Sequence, residues 1–148
     1  MCKGISMVIT RGRTEPYFIE GENSHHRIRE EFSIRDDNYQ ALPVEFLPTG
    51  ILTHVKDWDF TLDINTTSPE WFEDNKEDYK AACHRILKSQ IRKIQRSGKY
   101  GGSLYLQGTH VKSLGSLQSV GGYLDLQGTQ VKRSAVKNID VKWSIFWN

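Results

Sequence analysis

The residue with the clearest chemical potential is Cys2. Removal of Met1 is usual before a small second residue, and it would leave Cys2 with a free α-amine. With a pKa of about 7.7–8.0, that amine can act as the base for the neighbouring thiol. This pattern makes Cys2 a candidate nucleophile for hydrolysis or group transfer. The alternative interpretation is a small, inert residue at the start of a strand.

Two adjacent histidines, His25 and His26, form the second candidate group. They follow Asn23 and Ser24, and serine is a preferred N-cap, so the pair is predicted at a helix N-terminus. Either histidine can act as a general base toward Cys2. Successive helical side chains point about 100° apart, so the two cannot easily share one metal ion. The alternative is an exposed, capped helix start.

A third candidate is a row of polar side chains in a tandem repeat. GGSLYLQGTHVK begins at Gly101 and GGYLDLQGTQVK at Gly121, with nine of twelve positions identical and an offset of twenty residues. This period with an L-x-L core predicts a β-solenoid with one short strand per coil. Its outward side chains would stack about 4.8 Å apart as a binding surface, and a merely solvated face is the alternative. They are Ser103, Tyr105, Gln107, Tyr123, Asp125 and Gln127.

The inward side of the same repeat should be apolar. Its leucines are Leu104, Leu106, Leu124 and Leu126. Because roughly three coils are needed for stability, we expect a third from the C-terminal residues. An alignment by nineteen residues places Trp143 on Leu124, and Trp143 and Trp147 would then cover the open end. A hydrophobic tail that packs elsewhere is the alternative.

The elements that must position these residues follow from hydrophobic periodicity. Strands are predicted at 3–10, 16–20, 42–47 and 58–64. The turn Arg11-Gly12-Arg13 predicts a hairpin between the first two strands. Ser24 begins a short helix that is expected to end before Asp36. Prolines at positions 43 and 48 favour an edge position for the third strand.

A long amphipathic helix is predicted next. Ser68 suits the N-cap, Pro69 the first helical position and Gly98 the C-terminal stop. A helix over this span is about 40 Å long. Its acidic first half and basic second half complement the helix dipole. We expect it to pack on the N-terminal sheet, to bury Cys83 and to close one end of the solenoid.

These patterns predict an α+β fold. A small mixed α/β N-terminal domain has one long helix that leads into a short leucine-rich-like β-solenoid of about three coils. The predicted domains are 1–98, an α+β domain ending in the long amphipathic helix, and 99–148, the short solenoid repeat with its C-terminal cap.

Composition limits the partners and the compartment. The 20 basic and 18 acidic residues leave a net charge of +2, which gives little reason to expect nucleic acid. No apolar run approaches the roughly 20 residues that span a bilayer, and no signal-peptide pattern is present, so we expect a cytoplasmic protein. Two cysteines do not make a disulfide framework, and His54, His84 and His110 lack ligand spacing. We therefore expect free thiols, no metal site and no cofactor.

The opening Met1-Cys2 resembles that of the N-terminal-nucleophile amidohydrolases, which include the class II glutamine amidotransferases and the bile-salt hydrolases. That resemblance implies a catalytic Cys2 that acts on amide bonds.

A second resemblance covers residues 1–96, which are similar to uncharacterised small proteins of bacteriophages and mobile elements with an MCK-type N-terminus. It rests on a Ser-His helix start (Asn23-Ser24-His25), a Trp-x-Phe strand (Trp58-Asp59-Phe60) and a Pro-x-Trp-Phe helix start (Pro69-Glu70-Trp71-Phe72). The tail resembles a minimal leucine-rich or receptor-L-like repeat. A phage setting implies a small protein that binds and blocks host machinery in the host-cell cytoplasm.

The first interpretation is therefore a phage-type accessory protein that acts by binding. Its target would be a host or partner protein, for example host-defence machinery, or a small-molecule ligand held between the sheet and the tail. The alternative is a cysteine-dependent hydrolase or transferase with Cys2 as nucleophile and His25 or His26 as base. A nucleic-acid partner is third, no membrane is expected, and the sequence does not define an oligomeric state.

Overall fold

An antiparallel sheet forms the first part of the chain in the computed structural model, which describes residues 2–35 and 39–147. Its strands are β1 (Ile5–Thr10), β2 (Arg13–Tyr17), β3 (Ala41–Pro48) and β4 (Trp58–Leu62). They lie in the order β2-β1-β3-β4. Successive residues of β1, from Ile5 to Ile9, are buried, so this strand is covered on both faces. The predicted hairpin between β1 and β2 is confirmed.

The second strand begins earlier than predicted. It starts at Arg13 rather than Pro16, because the turn at Gly12 reverses the chain at once and pairs Thr10 with Arg13. Gly12 has a φ of 84°, a left-handed conformation that glycine adopts without steric cost. The strand also ends earlier, so that Phe18 leaves the sheet and packs against the main core.

The edge position predicted for the third strand is wrong, because β3 lies between β1 and β4. The carbonyl of Pro43 accepts a 3.0 Å hydrogen bond from the Asp63 N–H, so the proline nitrogen also faces the β4 side. The paired residues of β3 and β4 begin only at Val44 and Leu62. The missing N–H of Pro43 therefore falls at the end of the β3–β4 pairing, opposite Asp63, where a proline disturbs the sheet less than at its centre.

Helix α1 (His25–Phe32) packs on one face of the sheet. The Ser24 hydroxyl accepts the N–H of Arg27, which confirms the predicted N-cap. Ile28 lies against Val8 and Ala41 in a small cluster on this face. The helix ends at Phe32 with Ser33 as its C-cap, which confirms the predicted end before Asp36.

The predicted long helix is divided in two. Helix α2 (Glu70–Glu73) has its N-cap at Pro69, one residue after the predicted Ser68, and α3 (Lys76–Ser97) spans 22 residues, or about 33 Å. The break falls at Asn75, whose φ of −129° and ψ of 28° are not helical. Asparagine favours such positions because its side chain competes for backbone hydrogen bonds. Gly98 ends α3 in the left-handed region, as predicted.

Helix α3 packs on the face of the sheet opposite to α1. Ile5, Met7 and Ile9 alternate along β1 with Val8 and join a different cluster, which also contains the buried stripe of α3. That stripe is Tyr79, Cys83, Leu87, Ile91 and Ile94. The expected packing of this helix on the sheet, with Cys83 in the core, is confirmed.

Three successive segments of the chain build two parallel three-stranded sheets. One contains β6 (Leu104–Tyr105), β8 (Leu124–Asp125) and β10 (Ile145–Phe146). The other contains β5 (Lys99–Tyr100), β7 (Ser119–Val120) and β9 (Asp140–Val141). The four repeat leucines at 104, 106, 124 and 126 are buried, as predicted.

The alignment of the third segment by nineteen residues is wrong. Leu124 pairs with Ile145 and Val120 pairs with Val141, an offset of twenty-one residues. The connection between β8 and β9 contains a 3₁₀ turn at Arg133–Val136. It is longer than the connection between β6 and β7. Trp143 consequently does not occupy the inward position predicted for it and is 56% exposed.

The interior is continuous between the antiparallel sheet and the parallel sheets. One cluster of buried side chains includes residues of β1, residues of α3 and all four repeat leucines. The Gly4 N–H donates to the carbonyl of Tyr105 at 2.9 Å, and the Leu52 N–H donates to that of Ser113 at 2.9 Å. No helix in the described ranges has the length and apolarity needed to cross a membrane.

Candidate cysteine–histidine site

Cys2 is held in place from both sides just before β1 begins. The side-chain amide of Asn23 donates to the Cys2 carbonyl at 2.8 Å. The backbone N–H of the next residue, Lys3, donates to Oε2 of Glu45 at 2.8 Å. These two contacts fix the backbone around Cys2, whose side chain is partly buried.

His25 lies at the first position of α1 and is directed at the thiol. Its Nδ1 is 3.1 Å from Cys2 Sγ, and its Nε2 is 2.8 Å from the carbonyl oxygen of Val44. Because a carbonyl oxygen can only accept, Nε2 carries a hydrogen and donates it to Val44. In the neutral imidazole, Nδ1 is then the acceptor that faces the thiol. A nucleophile, a base and a group that orients the base are therefore in contact.

The electrostatics of the pair lower the free-energy cost of moving a proton from sulfur to nitrogen. The hydrogen bond from His25 lowers the pKa of the Cys2 thiol, against the opposing effects of burial and of the Glu45 carboxylate. Burial alone would lower the pKa of His25, but the hydrogen bonds to Cys2 and to the Val44 carbonyl outweigh it and raise this pKa. The two shifts have the directions of a thiolate–imidazolium pair.

Glu45 is the site residue that the sequence analysis missed. It lies in the middle of β3, is buried, and places a carboxylate oxygen near both partners: these donor atoms of Cys2, His25 and Glu45 all lie within 4.8 Å of one another. A thiol, an imidazole and a carboxylate in this arrangement can hold a metal ion. The available signal was a single charged residue within the otherwise apolar stretch 41–48.

A cavity of about 350 Å³ opens beside the pair and gives it access to a ligand. It is lined by Cys2, His25, Arg29, Tyr39, Ala41, Leu42, Pro43, Asp63 and Ile64. The lining combines apolar and charged side chains, which suits an organic molecule that carries polar groups.

The structure separates the two predicted histidines. His26 points away from Cys2, with 80% of its side chain exposed, and its Nε2 lies 2.8 Å from Glu30. Of the described histidines, His54 lies near Asp57, and His84 packs against the ring of Phe46. Among the two candidate bases, only His25 therefore contacts the thiol.

The predicted polar row lies on the outside of the parallel sheets. Tyr105 pairs with Asp125, and the Ser103 hydroxyl accepts the Tyr123 N–H at 2.9 Å. Phe146 continues the row beyond Asp125, which is buried between its neighbours. Gln107 is partly buried and Gln127 is exposed.

Two aromatic side chains of the third segment lie beside this polar row. Trp143 and Phe146 lie 4.9 Å and 5.4 Å from the ring of Tyr123, measured between centroids. Trp143 and Phe146 are both exposed. The surface is thus more apolar than the repeat alone predicted.

Comparison with known proteins identified no relative: no family model, curated protein or solved structure matches the chain. The functional assignment therefore depends on the geometry of the site.

Proposed function

We propose that this protein is a cysteine-dependent hydrolase or acyl transferase, with Cys2 as the nucleophile and His25 as the base. The observation that supports the proposal is the 3.1 Å contact between Cys2 Sγ and His25 Nδ1, with His25 oriented by the Val44 carbonyl. The adjacent cavity supplies room for a carbonyl substrate. The phage-type binding function remains a second prediction.

The reaction would proceed in two steps. His25 Nδ1 takes the thiol proton, and the Cys2 thiolate attacks the carbonyl carbon of an amide, ester or thioester in the cavity. His25 then returns the proton to the departing amine, alcohol or thiol, and a thioester forms on Cys2. In the second step, water or an acceptor nucleophile loses a proton to His25, attacks the thioester and releases the acyl group, and the proton returns to the Cys2 sulfur.

The base in this proposal is His25 and not the α-amine of Cys2. Met1 lies outside the described residues, so the mechanism with a free amine stays a prediction. His25 activates the thiol whether or not that amine is free, because the contact is between side chains.

The proposal is tested with p-nitrophenyl acetate as a generic acyl donor and intact-mass spectrometry. We expect a burst of p-nitrophenolate of about one equivalent and one acetyl group on Cys2. Cys2→Ala should remove both signals, and His25→Gln should slow the burst by about 10²–10⁴-fold. Cys83→Ser and His26→Gln serve as matched controls and should retain the burst. Acetylation that persists in Cys2→Ala at the same rate would refute the proposal.

We also propose that the two parallel sheets form a short leucine-rich-like solenoid of about three coils. Its support is the inward leucines of the two repeats and the parallel pairing of three successive segments. Binding of a partner protein at the outward row is the second candidate function. The exposed rings of Trp143 and Phe146 favour it, because aromatic side chains are enriched at protein interfaces.

A further inference from the structure

The donors at the candidate site are three different kinds of metal ligand. Cys2 offers sulfur, His25 offers nitrogen and Glu45 offers oxygen, and all three atoms lie within 4.8 Å of one another. Within the described part of the chain, no other cluster of three such side chains meets this distance. The three residues come from the start of the chain, α1 and β3, so the fold brings them together from distant positions.

The spacing suits a tetrahedral ion. Zinc bonds of about 2.0–2.3 Å place neighbouring ligands roughly 3.3–3.7 Å apart. The sulfur and nitrogen atoms are 3.1 Å apart and all three ligand atoms lie within 4.8 Å of one another, so the thiol and the imidazole must separate slightly and the Glu45 side chain must adjust to complete the set. Glu45 accepts the Lys3 N–H through Oε2, and its carboxylate has further acceptor capacity with which to bind an ion.

Backbone groups next to the site hydrogen-bond to His25 and Glu45 and fix the orientation of these ligands, as is usual around bound metal ions. The hydrogen bond from His25 Nε2 to the Val44 carbonyl fixes the ring so that Nδ1 is the ligand atom, an arrangement common among metal-binding histidines. The Lys3 N–H fixes the carboxylate in the same way.

The buried hydroxyl of Ser6 is an independent indication that the interior next to Glu45 is polar. Its hydroxyl is fully buried and has no hydrogen-bond partner among the described residues. Ser6 pairs directly with Glu45 across β1 and β3, so the two side chains project from the same face of the sheet. An unpartnered buried hydroxyl next to Glu45 leaves a further polar group on this face of the sheet.

We propose that Cys2, His25 and Glu45 bind one Zn²⁺ ion beside the cavity that Cys2 and His25 line. Sulfur and nitrogen ligands favour zinc over Mg²⁺ and Ca²⁺, which prefer all-oxygen sites. On binding, the thiol releases its proton to solvent and the Nδ1 lone pair is occupied, so neither group is available for acyl transfer. Zinc would therefore inhibit the activity proposed above, and this consequence, unlike the binding itself, depends on the proposed function.

The binding is tested on the metal-free full-length protein. We expect calorimetry to show one Zn²⁺ per chain, and Co²⁺ as a probe to give sulfur-to-cobalt charge-transfer absorption. Cys2→Ser should remove that absorption, and Glu45→Gln should weaken Zn²⁺ binding at least about tenfold. His26→Gln and Cys83→Ser should change neither signal. Equal zinc affinity in the wild type, Cys2→Ser and Glu45→Gln, or no saturable binding, would overturn the site.

The inhibition is measured separately, as the rate of Cys2 acetylation with and without one equivalent of Zn²⁺. We expect zinc to suppress acetylation in the wild type and much less in Glu45→Gln. Zinc binding without acetylation in the metal-free protein would refute the acyl-transfer function and leave the metal site intact. Unchanged acetylation at saturating zinc would refute the inhibition.

Discussion

Cys2 and Cys83 carry the same thiol in opposite environments. Cys83 faces the core from α3 without exposed surface, and burial raises its pKa to about 12. Cys2 borders a cavity, and its hydrogen bond with His25 lowers its pKa. Since the thiolate is the reactive form of cysteine, the chain contains an unreactive thiol against which Cys2 can be compared.

We expect iodoacetamide to modify Cys2 far faster than Cys83 in the folded, metal-free protein near pH 7. The lowered pKa means that the rate at Cys2 reaches half its maximum at a lower pH than that of N-acetylcysteine measured alongside. The rate of modification at Cys2 should decrease as the pH falls through the pKa of its thiol, because the thiolate takes up a proton. His25→Gln should move the profile toward that of N-acetylcysteine, whereas His26→Gln should not. Peptide mass spectrometry follows both sites, and equal rates at Cys2 and Cys83 would contradict the two environments.

The sequence predicted part of the site at this scale. The residue types of Cys2 and His25 were sufficient to propose a nucleophile and a base. They could not decide between His25 and His26, because helix packing determines which of the two faces the sheet. Glu45 could not be placed, because its proximity to Cys2 depends on β-strand pairing between positions more than forty residues apart.

At the scale of elements, the repeat leucines bear directly on stability. Leu124 has no exposed surface and belongs to the core shared by the sheets and α3. It pairs with Leu104 on one side and with Ile145 on the other. A cavity at this position would therefore remove contacts within all three segments.

Leu124→Ala should lower the free energy of unfolding by about 2–5 kcal/mol, through lost burial and an unfilled cavity. Gln127→Ala, an exposed position in the same repeat, is the control and should change it by less than about 0.5 kcal/mol. Urea denaturation followed by circular dichroism measures both. If the two variants unfold at the same urea concentration as the wild type, Leu124 is not a core residue.

Periodicity predicted the elements better than their ends and alignments. The strands of the antiparallel sheet and the buried stripe of α3 follow from alternating and helical patterns in local sequence. The break at Asn75 was missed because apolar residues continue at helical spacing across it. The twenty-one-residue offset was missed because Trp143 resembles a core residue, although the turn at Arg133–Val136 shifts it outward.

At the scale of the whole molecule, the last segment protects the strand before it. β10 pairs with β8 along the edge opposite to β6. The Leu126 N–H donates to the Phe146 carbonyl at 2.9 Å, and the partly buried Trp147 packs against the main core. Without β10, the hydrogen-bonding groups of β8 and the side chain of Leu124 would be open to solvent.

Deletion of residues 142–148 should therefore increase the binding of a hydrophobic fluorescent dye and promote aggregation. Phe146→Ala is the matched control, because its ring lies on the outside and its backbone pairing would be retained. Light scattering and dye fluorescence measure both variants. A truncated protein as stable and monodisperse as the wild type would show that β10 does not protect β8.

The contacts of Gly4 and Leu52 with the parallel sheets end at Tyr105 and Ser113, within the first of the three segments. The number of repeats can therefore change without a change at the Cys2–His25 site. A further copy of the twenty-residue unit, inserted after the second repeat, would lengthen the protein by about 4.8 Å while Cys2 and His25 keep their positions. Gene duplication at this point could alter the reach of the protein without altering its reactive centre.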